Sequence, residues 1–247
     1  YPVTANFVPS DTANYNSLTN ASAGNFVINK ATPTLSVTNS PVTYNGLARS
    51  AAVTGSVPGT PSNTLTGGSA SQVNAGTYAV TANFVPSDTA NYNSLTNASA
   101  GNFIINKTTP PPPVSNSPAT FSGLAQFAAV TGSVPGTPGN ILVGGSASQT
   151  NVGTYAVTAD FVPDDFTNYN SLTNAPAGNF VINKANPILS ITNSPVTYDG
   201  LPHSAAVTGS VPGTPSNILT GGSASKIAAG TYAVTANFIP ADTANYN

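Results

Sequence analysis

The sequence predicts an all-β protein built of tandem two-layer sandwich modules, and three observations predict it. A 77-residue unit recurs without insertion or deletion, short apolar runs alternate with polar residues, and Gly, Pro, Asn and Asp separate those runs. No stretch places its apolar residues at the spacing of a helix face, whereas period-2 alternation bounded by turn residues is the signature of short strands.

The peptide TANYN stands at 12–16 and 89–93, becomes FTNYN at 166–170 and returns at 243–247. Lys30, Lys107 and Lys184 keep the same step, as do Tyr78, Tyr155 and Tyr232, and the last sixteen residues nearly copy the first sixteen. A 77-residue period is longer than the unit of a solenoid or propeller, which cannot bury a core alone. It suits a small autonomous sandwich. Boundaries are expected at Lys30-Ala31-Thr32-Pro33, Lys107-Thr108-Thr109-Pro110 and Lys184-Ala185-Asn186-Pro187, because Pro after a strand stops its ladder and stiffens the join. The expected division is residues 1–31, the C-terminal part of a preceding module; 32–108 and 109–185, two complete modules; and 186–247, a module lacking its last strands. A chain that opens on Tyr1 inside a module is expected to be part of a longer precursor.

Within residues 32–108 the elements follow in order. Thr34–Thr38 alternates and suits a first edge strand. Pro41–Tyr44 leads into Asn45-Gly46, a hairpin-turn signal. Ala51–Gly55 follows, then a turn at Pro58-Gly59-Thr60-Pro61, then Thr64–Gly67. Gly76–Val85 is the clearest strand, with Tyr78, Val80, Ala82 and Phe84 on one face and Thr77, Ala79, Thr81 and Asn83 on the other. Tyr92–Asn97 and Asn102–Lys107 are expected to form a hairpin around Ala98–Gly101, for seven short strands in all.

Composition removes several classes of function. Charged residues are 5% of the chain, and five Lys plus Arg against seven acidic residues, none of them Glu, cannot form a basic footprint for nucleic acid. No run of 18 apolar residues is present, so no helical membrane span is expected. Disorder through self-repulsion does not fit a chain that is 39% apolar with a net charge of −2. The absence of Cys excludes a disulfide framework and a thiolate metal site. Together with the absence of Met it leans toward an oxidising compartment.

Asn74-Ala75-Gly76-Thr77-Tyr78-Ala79-Val80 resembles the tyrosine-corner segment of immunoglobulin domains, in which Tyr lies two residues before a Cys. Val80 stands where that Cys would be, so apolar packing alone is expected to hold the sheets together. PVTYNG (41–46), AGTYAVTANF (75–84), NYNSLTNASAGNFIINK (91–107) and PVTYDG (195–200) are similar to MBG-type bacterial immunoglobulin-like repeats. That family occurs in tandem in very long secreted and surface-anchored bacterial proteins, including adhesins of filamentous bacteria. The resemblance implies a spacer or stalk role outside the cell and carries over no catalytic residue.

Residues that carry chemistry are few. His203 aligns with Arg49 and Gln126 and is expected to be a solvated loop residue, since no base recurs near a Ser or Thr. Asp11, Asp88, Asp165 and Asp242 recur once per module and suit Asx turns. Asp160, Asp164 and Asp165 form the one acidic cluster and are the candidate cation ligands. Lys30, Lys107 and Lys184 are expected at solvated strand ends rather than in isopeptide cross-links, for which a neighbouring carboxylic acid is needed. Tyr44, Tyr78, Phe84, Tyr92 and Phe103 recur as core candidates. Phe127 and Phe166 belong to module 109–185 alone, and with Pro111 and Pro112 they mark a candidate interface. There Pro110–Pro113 is expected to replace the first strand by polyproline II, leaving a pairing edge open.

The function these readings favour is structural: a non-enzymatic spacer, stalk or fibre-forming segment of an extracellular or cell-surface bacterial protein, with no cofactor. Each module is expected to add roughly 30 Å. Low net charge favours self-association into fibres or lateral bundles. The alternative is an adhesin module that binds surface glycans or a protein partner through loops of the 109–185 repeat.

Overall fold

A computed structural model describes all 247 residues. The chain contains strands and no helix, and it divides into two units, Tyr1–Thr108 and Thr109–Asn247.

In the first unit, β1 (Pro2–Phe7) and β2 (Leu18–Asn25) form an antiparallel hairpin. Six strands follow: β3 (Leu35–Val37), β4 (Val42–Thr43), β5 (Val53–Gly55), β6 (Gly59–Thr66), β7 (Gly76–Pro86) and β8 (Leu95–Asn106). One sheet has the order β4-β8-β7-β6 and the other pairs β3 with β5. Alternation along β7 decides which face meets the second sheet: Val80, Ala82 and Phe84 are buried, while Thr77, Ala79 and Val85 are exposed. Val80, Ala100, Phe103 and Ile105 supply the core from the large sheet, with Leu35, Val37 and Val53 packed on them from the small one. This is an immunoglobulin-like β-sandwich closed by apolar packing, and the chain contains no cysteine.

Three local expectations change. Ala98–Gly101 is no hairpin, because β8 pairs with β7 along its whole length. Two register shifts absorb the turn-like residues, one around Gly101 (φ +96°) and one at Asn97 (φ +48°). The Asn97 amide donates to Asn83 Oδ1 at 2.9 Å, which satisfies the bulged backbone. The strands therefore number six per module, not seven. Asn45-Gly46 closes no hairpin either, because β4 runs parallel to β8, with Val42 opposite Ile105. The turn expected at Pro58–Pro61 lies earlier, since β6 already begins at Gly59, opposite Pro86.

Gly59 belongs in a strand because of what lies beneath it. A Cβ there would meet Phe84 Cζ at 2.5 Å, and one on Gly55 would meet the same atom at 2.2 Å. Two glycines thus close over one buried ring. The arrangement repeats with Gly132 and Gly136 over Phe161.

In the second unit, β9 (Ala119–Thr120), β10 (Gly136–Val143), β11 (Gly153–Pro163) and β12 (Leu172–Asn183) form a sheet of order β10-β11-β12-β9. Its separate core contains Val130, Val143, Val157, Phe180 and Ile182. The proline segment keeps half a ladder. Thr131 N donates to Pro113 O at 3.1 Å and Ser133 N to Pro111 O at 3.2 Å, because Pro lacks the N–H but retains its carbonyl. The edge expected to open is therefore still occupied through its acceptors. Further along, β13 (Leu189–Ile191) pairs with β14 (Val207–Gly209) and β15 (Gly213–Thr220) with β16 (Val234–Pro240). Within residues 186–247 no strand takes the place that β8 and β12 fill. Val234 and Phe238 are accordingly half-buried, where their counterparts Val80 and Phe84 are 0% and 1% exposed.

Gly132→Ala is expected to destabilise module 109–185 by about 1–3 kcal/mol through overpacking against Phe161. Calorimetry of the full chain would show one transition moved down, and Phe161→Leu in the same chain is expected to restore part of the shift.

Candidate functional site

The recurring D-T-A-N-Y-N segment builds the most elaborate polar site of the chain, the joint between modules 109–185 and 186–247. Asp242 begins it. Its Oδ1 accepts from the backbone amides of Ala244 and Asn245, both at 3.1 Å, and its Oδ2 accepts from Asn245 Nδ2 at 2.8 Å. This is the Asx turn expected of the recurring Asp, and Asp11 and Asp88 make the same three bonds with Ala13–Asn14 and Ala90–Asn91. By holding the amide nitrogen, Asp242 fixes which way the Asn245 side chain points. Asn245 Oδ1, with the residue only 8% exposed, then accepts from Val152 N at 2.8 Å across 93 positions of sequence.

Val152 is presented by a tyrosine corner. Tyr155 Oη donates to Asn151 O at 2.8 Å, as Tyr78 does to Asn74 O and Tyr232 to Ala228 O. The corner holds the peptide just before β11, and the next residue turns its amide to the neighbouring module. Tyr246 adds an edge-to-face contact with Phe121, ring centroids 5.3 Å apart and planes at 84°.

The linker is clamped as well. Lys184 Nζ donates to Thr243 O at 2.6 Å, Ala185 N to Asn245 O at 3.0 Å, and Asn247 N to Ala185 O at 3.0 Å. Asn247 Nδ2 donates to Asn186 Oδ1 at 2.6 Å. In the first unit the linker is tied in the same way, with Lys30 Nζ on Thr89 O at 2.7 Å and Asn93 Nδ2 on Thr32 Oγ1 at 3.1 Å. Lys30 and Lys184 are exposed as expected, yet each ammonium is engaged by a carbonyl 59 residues away.

The other candidates lie apart from this joint. Asp160 sits in the β11–β12 bulge, where its Oδ1 accepts from Asn174 N at 2.7 Å in the role Asn83 plays in the sister module. Asp165 is turned to Asn168, with Oδ2 accepting from Nδ2 at 2.8 Å. Asp164 is exposed. No three His, Cys, Asp or Glu side chains gather as a metal site. Phe127 and Phe166 are 60% and 72% exposed. Pro111 is exposed too, but Pro112 is buried and belongs to the module's own packing. His203 Nε2 lies 2.9 Å from Asp199 Oδ1, with both side chains partly solvated. No helix is long and apolar enough to cross a membrane.

The MBG domain family model matches residues 33–109, 114–186 and 189–247. The chain belongs to the MBG domain family. No curated protein and no solved structure matches it. MBG repeats are a structural repeat family, not known as enzymatic, and are typical of extracellular surface proteins. In the MBG array the clasp was the feature sequence reading missed. TANYN was visible as a repeated string, but its partners Val152 and Phe121 lie in a different copy.

Removing the clasp amide by Asn245→Ala leaves the Val152 N–H unpaired and is expected to cost about 1 kcal/mol. The amide proton of Val152 would exchange faster by NMR while the core of module 109–185 stays protected. Acid should act on the same bonds. The side-chain amide of Asn245 holds the Asp242 carboxyl below the usual Asp range, with the amides of Asn245 and Ala244 acting in the same direction against partial desolvation. A folded value below the unfolded one, about 3.9, means that the contribution is complete above that pH and is lost as pH falls through the lowered value. The Val152 and Asn245 amide resonances should therefore hold steady down to about pH 4 and move only below it.

Proposed function

We propose that the chain is a spacer segment of an extracellular or cell-surface bacterial protein, in which MBG modules set length and the D-T-A-N-Y-N clasp resists bending at the joints. The modules of this reading are 32–108, 109–185 and 186–247, preceded by the tail 1–31. The carrying observation is the clasp itself: one linker and one loop make backbone, side-chain and ring contacts to a neighbouring module, and those residues recur with the repeat. Separate cores in 32–108 and 109–185 support a mechanical role, because each must be unfolded on its own. Nothing in the reading calls for a catalytic group, a cofactor or a nucleic acid. Self-association into fibres fits the low charge.

A second reading has one observation in its favour. Phe127, absent from the sister modules, is 60% exposed, and an exposed aromatic is a platform on which a sugar ring can stack. In that reading module 109–185 is an adhesin unit for surface glycans or a protein partner.

Single-molecule stretching of the full chain tests the spacer. Modules 32–108 and 109–185 are expected to yield one at a time, each releasing at most about 270 Å of extended chain, whereas smooth lengthening without discrete events would count against it. A glycan array tests the rival, which gains only if wild-type chain is retained specifically and Phe127→Ser is not.

A further inference from the structure

Two surfaces of this chain are unsatisfied in complementary ways. The first is the slot beside β16. A cavity of about 320 Å³ lies there, lined among others by Ser194, Val196, Tyr198, Tyr232 and Val234. The sister residues of that lining all hold β8: Val42 lies opposite Ile105, Tyr78 opposite Phe103 and Val80 opposite Gly101. Ser40 Oγ accepts from Ile104 N at 2.8 Å, and Tyr44 N donates to Asn106 O at 2.8 Å. With no strand between them, Val196 and Tyr198 are 56% and 62% exposed.

The second surface is the end of the N-terminal hairpin. Phe26, Val27 and Ile28 are 60%, 69% and 70% exposed, whereas Phe103 and Ile105 in the matching places of β8 are 0% and 2% exposed. Residues 18–29 read LTNASAGNFVIN, and β8 reads LTNASAGNFIIN, a difference of one methylene at Val27.

We propose that module 186–247 is a strand acceptor, and that its occupant is the segment Leu18–Asn29 of a second copy of this chain, added antiparallel to β16. The exchange conserves the ladder it breaks. In the hairpin, Val3, Thr4, Ala5 and Phe7 of β1 pair with Gly24, Ser22, Ala21 and Leu18. In the sister module, Val80, Thr81, Ala82 and Phe84 pair with Gly101, Ser99, Ala98 and Leu95, the same register. Since β16 carries the same VTANF as β1, leaving β1 for β16 costs no backbone bonds. The gains are new: Phe26 and Ile28 leave water, Val27 N reaches Ser194 Oγ, and Tyr198 N reaches Asn29 O. The joint then completes itself. Lys30 already holds Thr89 of its own copy, so insertion brings Asn91 and Tyr92 to Ala229 and Tyr198, the pairs that Asn245–Val152 and Tyr246–Phe121 make between modules. Donor and acceptor lie on different parts of one chain, so the contact is head-to-tail and propagates as an open filament. The spacer reading stands whether or not copies join in this way.

Light scattering on the full chain over two decades of concentration tests the proposal. The mass is expected to rise from one chain of 24.6 kDa in steps of whole chains. Phe26→Asp lies outside both closed cores, and it is expected to weaken association at least about tenfold by placing an unpaired charge where Phe103 is buried. It leaves the slot intact, so mixed with wild type it should cap and shorten the assemblies. A synthetic peptide of residues 18–30 in excess should dissolve them. A single-chain mass at every concentration overturns the proposal, as do assemblies that ignore both Phe26→Asp and the peptide.

Discussion

Everything in this fold depends on seating one long strand between two others. β8 and β12 are hydrogen-bonded on both edges and deliver Phe103 with Ile105, or Phe180 with Ile182, to the centre of the sandwich. An immunoglobulin domain ties its sheets at that level with a disulfide worth about 2–4 kcal/mol. Here Val80 and Val157 occupy the place, 0% and 1% exposed. Each buried Val, Ile or Phe contributes about 1.5–3 kcal/mol, so two or three of them offset the missing bond. Module 186–247 shows the dependence from the other side: with the slot empty, no closed core forms around Val234 and Phe238.

The joint uses the same economy of parts. Asn151 gives its carbonyl to the tyrosine corner and Val152 gives its amide to Asn245, so two successive peptide groups serve the inside of one module and the attachment of the next. Stiffness was expected from proline at the linkers. It comes instead from a loop folded back on the linker and held from both sides. Asp242 matters because an unrestrained Asn amide can face either way, and a carboxylate that accepts from its nitrogen leaves the oxygen outward.

Much of the fold was legible because it is written locally. The alternation along Gly76–Val85 gave β7 and its inward face, and the recurrence of Phe84 and Phe103 marked the core, with the tyrosines half-buried at its edges. The repeated Asp announced its Asx turn. What stayed hidden depends on pairing. Asn97 and Gly101 look like turn residues and are bulges, because β7 holds the strand on through them. Asn45-Gly46 promises a hairpin, but Val42 finds Ile105, across 63 positions and in the parallel sense. The clasp was least visible, since a string that repeats every module gives no hint that its oxygen is bound by the module before.

The chemistry of that clasp is nearly free of ion pairs. Its charged partners face amides and carbonyls at hydrogen-bonding distance, and the one carboxylate contact of opposite sign in the chain, His203 with Asp199, lies elsewhere. Mobile ions weaken attraction between separated charges but have little purchase on short bonds of this kind. An exterior filament held in this manner would keep its rigidity from fresh water to brine.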